Sequence, residues 1–282
     1  MQDIVENVVF EGNKLIIPNE FWFNAKNILE CGQFFRFNKT KEDDYEVLSG
    51  GNYASIKRTE NGYEITTKNI EYFSKFFNLE QDYGNINKQL LALGVDKKVI
   101  DNAQGLRIIK SDIYETIVSF VISANNNIKR IKLIISRLCE NAGEKTEYGY
   151  NFPSLEKFCN LTEEFFKQIG AGYRAKYLAN LGKQLPEFLS KNYDHFTTAE
   201  LKKALMKLSG VGPKVADCIL LFAFNRYDSF PVDVWIERAY YKFVGGDKLT
   251  RKNISSLLTQ KFGDLSGYVQ QYWFYYMLTF GE

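Results

Sequence analysis

The stretch that most restricts this 282-residue chain is Leu201 to Phe243, LKKALMKLSGVGPKVADCILLFAFNRYDSFPVDVWIERAYYKF. ELKKALMKL has helical spacing and ends at Met206 to Leu208, and Ser209-Gly210-Val211-Gly212 then leaves room only for a tight reversal. Pro213 opens the next helix, where its missing N–H would have had no intrahelical partner anyway. This is a helix-hairpin-helix. Gly210 and Gly212 can take positive φ and leave no side chain in the way, so the hairpin amides around Val211 and the next helix's N-terminus can face a phosphate. Alone, such a hairpin binds a nucleic-acid backbone or is only a turn between helices, and it carries no chemistry.

The rest of the chain supplies a core large enough to hold it. Hydrophobic residues make up 45% of the sequence, which buries a substantial interior in one large domain or two smaller ones. The pattern changes near residue 110. Before it, FFRFN, YEVLSG, YASIKRT and YEITTK alternate in the manner of strands, with Asn61-Gly62 as a turn signal. NIEYFSKFF and INKQLLALG then predict helices covering one face of the sheet. After it, IYETIVSFVISA, IKRIKLIISRLC and AKYLANLGKQL are helical. The expected fold is α+β, a twisted antiparallel sheet with helices over 1–110 followed by an all-α helix-hairpin-helix domain over 111–282.

Composition excludes several classes of chemistry. Cys31, Cys139, Cys159 and Cys218 lie far apart without CxxC spacing, and His195 is the single histidine, so neither an iron-sulfur cluster, a zinc site nor a Ser-His-Asp triad is expected, and no cofactor. The start MQDIVENVVFEGN has acids where a signal peptide is basic, and no apolar run reaches the ~20 residues of a membrane span. The expected location is cytoplasmic, or nuclear in a eukaryote. Net charge is only +2, so basic groups matter locally: Lys129, Arg130, Lys132 and Arg137; Arg174 and Lys176; and Lys202, Lys203, Lys207 and Lys214. Each group taken alone reads equally as a solvated helix face.

Chemistry enters with Lys214, in the first turn after the hairpin, and Asp233, nineteen residues on in Phe230-Pro231-Val232-Asp233. The pairing resembles that of the lysine-bearing base-excision repair glycosylases, whose chemistry asks for both groups: breaking a glycosidic bond puts positive charge on the sugar, which a carboxylate stabilises, and an amine can then attack C1′ and form a Schiff base that permits elimination of the 3′ phosphate. Lys214 must be neutral to attack. Its place at a helix N-terminus in a partly desolvated site predicts a lowered pKa. The plainer alternatives are a phosphate-binding lysine and an aspartate that caps the helix VWIERAYYKF.

The pairing resembles the lysine-bearing, bifunctional branch of the helix-hairpin-helix, Gly/Pro-rich loop, Asp superfamily of base-excision repair glycosylases. Within it the chain looks like the 8-oxoguanine DNA glycosylase/AP lyases over nearly its whole length. Asn125-Asn126-Asn127-Ile128-Lys129-Arg130 is similar to NNN-I-x-R, which implies that Asn125 and Arg130 contact the cytosine opposite the lesion. Gly172-Tyr173-Arg174-Ala175-Lys176-Tyr177 is similar to GYRA-x-Y, implying that Tyr173 wedges into the duplex and Arg174 reads the cytosine. Cys31-Gly32-Gln33-Phe34-Phe35-Arg36 resembles SGQ-x-FRW, whose Gly carbonyl accepts the N7 hydrogen of 8-oxoguanine, a task that falls to Gly32. Gly267 to Phe274 resembles GWAQ-x-x-x-F: Gln270 would bond the base edge, Phe274 would stack on one plane, and Cys218 would cover the other.

The chain departs from the family at Trp235, where the animal enzymes commonly carry a phosphate-contacting His, and at Tyr276-Met277, where a lesion-contacting Asp is replaced. Pro213 for Thr is harmless at a helix start. By resemblance, the carbonyls of Met206, Leu208 and Val211 would hold a monovalent cation bridging to phosphate, with no catalytic metal. The implied partner is double-stranded DNA containing 8-oxoguanine, bound by a monomer. A helix-hairpin-helix glycosylase for another damaged base, or a non-catalytic DNA-binding module, is the competing reading; the latter leaves Lys214, Asp233, Gly32 and Gln270 unexplained.

Overall fold

The computed structural model describes residues 8–281. Strands β1 (Val9–Glu11), β2 (Lys14–Pro18), β3 (Phe37–Lys41), β4 (Asp44–Ser49), β5 (Asn52–Thr59) and β6 (Gly62–Thr67) form one antiparallel sheet in the order β1-β2-β6-β5-β4-β3. Side chains alternate between its faces, so Leu15, Ile17, Tyr45, Val47, Ala54, Ile56, Tyr63 and Ile65 line one buried side. Helices α1 (Ala25–Leu29) and α2 (Ile70–Phe76) close that side with Ile28, Leu29, Phe73 and Phe76. The turn near Asn61 falls as expected, but Thr59 pairs with Gly62, so Gly62 already belongs to β6. Only glycine fits there: a Cβ would lie 1.9 Å from the Ile17 carbonyl oxygen.

Twelve further helices make the second layer: α3 (Tyr83–Ala92), α4 (Lys97–Asn102), α5 (Ile113–Ser123), α6 (Ile128–Ala142), α7 (Leu155–Cys159), α8 (Glu163–Gln168), α9 (Arg174–Leu189), α10 (Thr198–Leu205), α11 (Pro213–Phe222), α12 (Val234–Phe243), α13 (Arg251–Phe262) and α14 (Ser266–Phe280). A two-stranded ribbon, β7 (Lys145–Thr146) with β8 (Gly149–Tyr150), separates α6 from α7. Among the described residues no helix is long and apolar enough to cross a membrane.

Three sequence expectations are corrected. The segment FFRFN is not one strand, since β3 begins only at Phe37. Residues 31–36 form a loop in which Phe34 packs into the sheet core and Phe35 into the helical core. Helix α3 does not cover the sheet: Tyr83, Ile86 and Leu90 lie in the helical core, as do Val99 and Ile100 of α4. Strands β1 and β2 complete the sheet from a segment in which no strand was expected.

Candidate active site

Helices α10 and α11 form the hairpin. Gly210 has φ of +84°, and a Cβ there would meet Val121 Cγ1 at 2.8 Å and Tyr177 Cβ at 3.0 Å, so it is glycine for both backbone and space. Gly212 differs from expectation: its φ is −86° and nothing lies within 4 Å of its missing Cβ. It leaves the N-terminus of α11 open to solvent without needing a left-handed backbone. Lys202 of α10 and buried Asp217 of α11 join the two helices by an ion pair of 2.6 Å. Burial pushes the Asp217 carboxyl up to about 6, with Lys202 pulling the other way. Lys202 is thereby committed to the hairpin's own structure rather than to a phosphate. The carbonyl of Leu208 accepts the Val211 N–H at 3.1 Å. No group of three or more His, Cys, Asp or Glu suited to a metal ion occurs among the described residues.

From the first turn of α11, Lys214 reaches into a cavity of about 530 Å³. Its Nζ lies 5.8 Å from the centroid of the Phe120 ring, and Cys218 follows one turn later on the same helix. The expectation of a depressed pKa is overturned. Burial does pull Lys214 down, but Cys218, Asp233 and Asp217 together outweigh it, and the net direction is above the ordinary lysine value. The Cys218 thiol is pushed up to about 11, by burial first and against the pull of Lys214.

Asp233 lines the same cavity and is the N-cap of α12. Its Oδ1 accepts from the backbone N–H of Trp235 at 3.0 Å and of Ile236 at 2.9 Å. Both bonds fall on one oxygen, so the cap does not use the second. The capping alternative and the chemical one are thus compatible in a single side chain.

Gly32, Cys218, Gln270 and Phe274, drawn from three distant segments, all line this cavity. Gly32 has φ of +79°, and a Cβ there would sit 3.1 Å from Phe274 Cε1, so the missing side chain lets ring and loop approach. Gln270 is 4% exposed, and its Oε1 is buried with no hydrogen-bond partner among the described residues. An orphaned buried oxygen costs free energy unless something else fills its bond, so it points to a ligand. Trp235 also lines the cavity, and Arg238 stacks over its indole at 5.1 Å. Met277 of the second departure is buried, whereas Tyr276 is partly buried against Phe243.

The residues expected to face the opposite strand cluster elsewhere, at the junction of α5, α6 and α9. Tyr173 is 56% exposed, with its hydroxyl donating to the Ala124 carbonyl at 3.1 Å. Asn125 is exposed and held at φ of +51°. Arg130 is exposed and donates to the Gly170 carbonyl at 3.3 Å. Arg174 is a different case. It is 4% exposed, and its guanidinium donates to the carbonyls of Ala124, Asn125 and Ala171, which fixes the strained Asn125 turn. Lys132, counted in a basic cluster, donates to the Phe37 carbonyl at 3.0 Å instead.

Sequence reasoning missed the supports of the cavity. Gln271 donates from Nε2 to the Cys31 carbonyl at 3.0 Å, Gln33 holds Ile28, Arg107 and Ile109 backbone, and buried Arg36 pairs with buried Glu115 at 3.2 Å. The signal available was four polar residues, Gln33, Arg36, Glu115 and Gln271, in otherwise apolar runs; apart from Ile28, five residues before Gln33, the partners named are 74 to 240 residues away and invisible to local pattern.

Comparison with known proteins agrees with this geometry. The profile of the 8-oxoguanine DNA glycosylase N-terminal domain matches residues 14–117, and that of the HhH-GPD superfamily base excision DNA repair proteins matches residues 118–263. A probable N-glycosylase/DNA lyase of Methanothermobacter thermautotrophicus is 30% identical over 73% of this chain and 72% of its own length. An N-glycosylase/DNA lyase of Saccharomyces cerevisiae is 34% identical over 70% of this chain and 56% of its own. The Clostridium acetobutylicum 8-oxoguanine glycosylase/lyase, solved with dsDNA containing cytosine opposite 8-oxoG, is 35% identical with a TM-score of 0.89, covering 96% of this chain and 97% of that one. The chain belongs to the 8-oxoguanine DNA glycosylase family, within the HhH-GPD superfamily of base excision DNA repair proteins.

Proposed function

We propose that this protein excises 8-oxoguanine lying opposite cytosine in duplex DNA and then cleaves the strand at the abasic site. The observation that carries this reading is one cavity that gathers an amine, a carboxylate and an unpartnered buried amide oxygen, Lys214, Asp233 and Gln270. The lesion nucleotide is extruded from the duplex, and Tyr173 fills the gap it leaves. Asn125 and Arg130 contact the cytosine, while Arg174 presents Asn125 by holding its turn. The hairpin amides around Gly210, Val211 and Gly212 face a phosphate.

The extruded base lies between Phe274 and Cys218, with Gln270 on its edge and its N7–H donating to the Gly32 carbonyl. Guanine has no hydrogen at N7, so two acceptors would oppose each other without a proton between them, a penalty larger than a missing contact. Cleavage of the glycosidic bond leaves its electron pair on the base and positive charge on the sugar, beside Asp233. Lys214, once its proton has passed to the departing base, attacks C1′. Ring opening gives a Schiff base, which draws electrons as a proton leaves C2′ and the 3′ phosphate departs. Such an enzyme works where DNA is held, in the cytoplasm of a prokaryote or the nucleus of a eukaryote, as a monomer.

The test is borohydride trapping on a duplex carrying one 8-oxoguanine opposite cytosine. A covalent adduct formed by wild type on this duplex, absent from undamaged DNA and lost in Lys214→Gln, is the expected result. Binding without an adduct on this or any abasic duplex refutes the lyase step.

A further inference from the structure

Helix α14 carries two pairs of polar and aromatic residues at four-residue spacing, on adjacent faces. Gln270 and Phe274 line the cavity. Gln271, which also borders the cavity, and Tyr275 grip the segment that carries Gly32: Gln271 Nε2 donates to the Cys31 carbonyl at 3.0 Å, and the Tyr275 hydroxyl donates to Asn27 Oδ1 of α1 at 2.6 Å. Gln271 is 2% exposed, and this bond joins parts of the chain 240 residues apart.

The Cys31 carbonyl belongs to the peptide unit just before Gly32. With that unit pinned, the direction of the next carbonyl, that of Gly32 itself, is set by rotation about the Gly32 backbone bonds alone. Glycine gives those rotations little resistance, and φ of +79° is one of several conformations open to it. The following residue is fixed by the Gln33 side chain, which donates to the Ile28 and Arg107 carbonyls and accepts from the Ile109 N–H. Gly32 is thus a permissive hinge held on both sides, and Gln271 is the support that comes from the helix that also carries Gln270 and Phe274.

We infer that Gln271 is a positioning residue for lesion discrimination: by clamping the Cys31–Gly32 peptide it aims the Gly32 carbonyl at the base and couples that aim to α14. This rests on the base-pocket reading above. Gln271 spends its amide donor on the Cys31 carbonyl and is proposed to act through that peptide, so its loss is expected to leave the amine chemistry on a baseless site intact.

The experiment compares wild type, Gln271→Met and Tyr275→Phe in single-turnover excision of 8-oxoguanine and of guanine opposite cytosine, and in cleavage of an abasic duplex. Gln271→Met keeps volume and removes the donor, whereas Tyr275→Phe loosens the same helix face without touching the pinned peptide. Gln271→Met is expected to lower 8-oxoguanine excision roughly 10- to 100-fold, to narrow its ratio to guanine, and to leave abasic cleavage unchanged. Tyr275→Phe is expected to keep the ratio. Parallel loss of excision and abasic cleavage in Gln271→Met, equal narrowing in Tyr275→Phe, or an unchanged ratio in Gln271→Met would each overturn the inference. A wild type that cleaves abasic DNA but ignores 8-oxoguanine would instead overturn the substrate reading.

Discussion

Asp233 is an N-cap and, on the proposed mechanism, also a charge-stabilising carboxylate, and a single pair of substitutions separates the two. As the N-cap of α12 its Oδ1 accepts two backbone N–H groups, at 3.0 and 2.9 Å, and an asparagine oxygen can accept the same two. As a carboxylate in the cavity it faces positive charge developing on the sugar, and only the charged side chain supplies that. Taking a charge separation of about 4 Å and an effective dielectric near 20, the attraction is about 4 kcal/mol, or on the order of a thousandfold in rate. Asp233→Asn should therefore slow excision of 8-oxoguanine by roughly that factor while lowering stability by less than about 0.5 kcal/mol. Asp233→Ala should lose the rate and, in addition, about 1–2 kcal/mol of stability with the cap. Single-turnover excision and thermal unfolding of the three proteins decide it. Because Asp233 also helps to hold the proton on Lys214, the pH profile of abasic-site cleavage should move to lower pH in Asp233→Asn. Excision within a few fold of wild type in Asp233→Asn, or unfolding as severe as in Asp233→Ala, would refute the division.

Other substitutions test the surroundings. Gly32→Ala meets both a left-handed backbone and Phe274 Cε1 at 3.1 Å; it should cost about 1–2 kcal/mol of stability and depress excision far more than abasic cleavage, measured side by side. Burial pushes Glu115 from 4.5 up to about 7, with Arg36 opposing, so its favourable proton uptake on folding is complete below pH 4.5 and lost as pH rises through 7. Stability should accordingly decline between those values by up to about 3 kcal/mol, and Glu115→Gln should flatten that slope in unfolding experiments even though it leaves Arg36 without its carboxylate. Arg174→Ala frees three carbonyls and should cost about 2–3 kcal/mol; duplex binding should then weaken most where cytosine lies opposite the lesion, and a loss equal for every opposite base would refute a role of Arg174 in cytosine recognition, direct or through Asn125.

The parts of this fold that were legible in the sequence are those written in local pattern. The alternation of β4 to β6 and the Gly-Val-Gly hairpin before Pro213 were readable because period and turn chemistry act over a few residues. Gly32, Cys218, Gln270 and Phe274 were singled out by motif resemblance, and the fold brings all four to one cavity. What failed was whatever depended on distant partners. The proton on Lys214 could not be read from its place at a helix start, because Cys218 and Asp233 reverse the effect of burial and Asp233 arrives from beyond the next loop. The split of Phe34 and Phe35 between two cores, and the allegiance of α3 to the helical one, follow from packing between layers that an amphipathic period does not specify. Arg174 was singled out by its likeness to GYRA-x-Y, but the bonds of its guanidinium to the carbonyls of Ala124 and Asn125, about fifty residues away, could not be read from that motif.

The arrangement separates two demands that conflict in one site. A cavity that selects a lesion by a single hydrogen must be rigid, and its rigid parts come from the two ends of the chain: the Gly32 loop near the start and α14 at the finish, tied by Gln271 and by Tyr275. On the proposed mechanism the amine must instead change state during the reaction, and it sits on α11 near Cys218, Asp233 and Asp217, whose net effect is to favour its proton. A lysine neutral at rest would be ready to attack any carbonyl-like carbon that entered the cavity. On the proposed mechanism an ammonium must first give up its proton, to the departing base after excision or to solvent at a site already abasic, so cleavage of an abasic duplex should rise with pH.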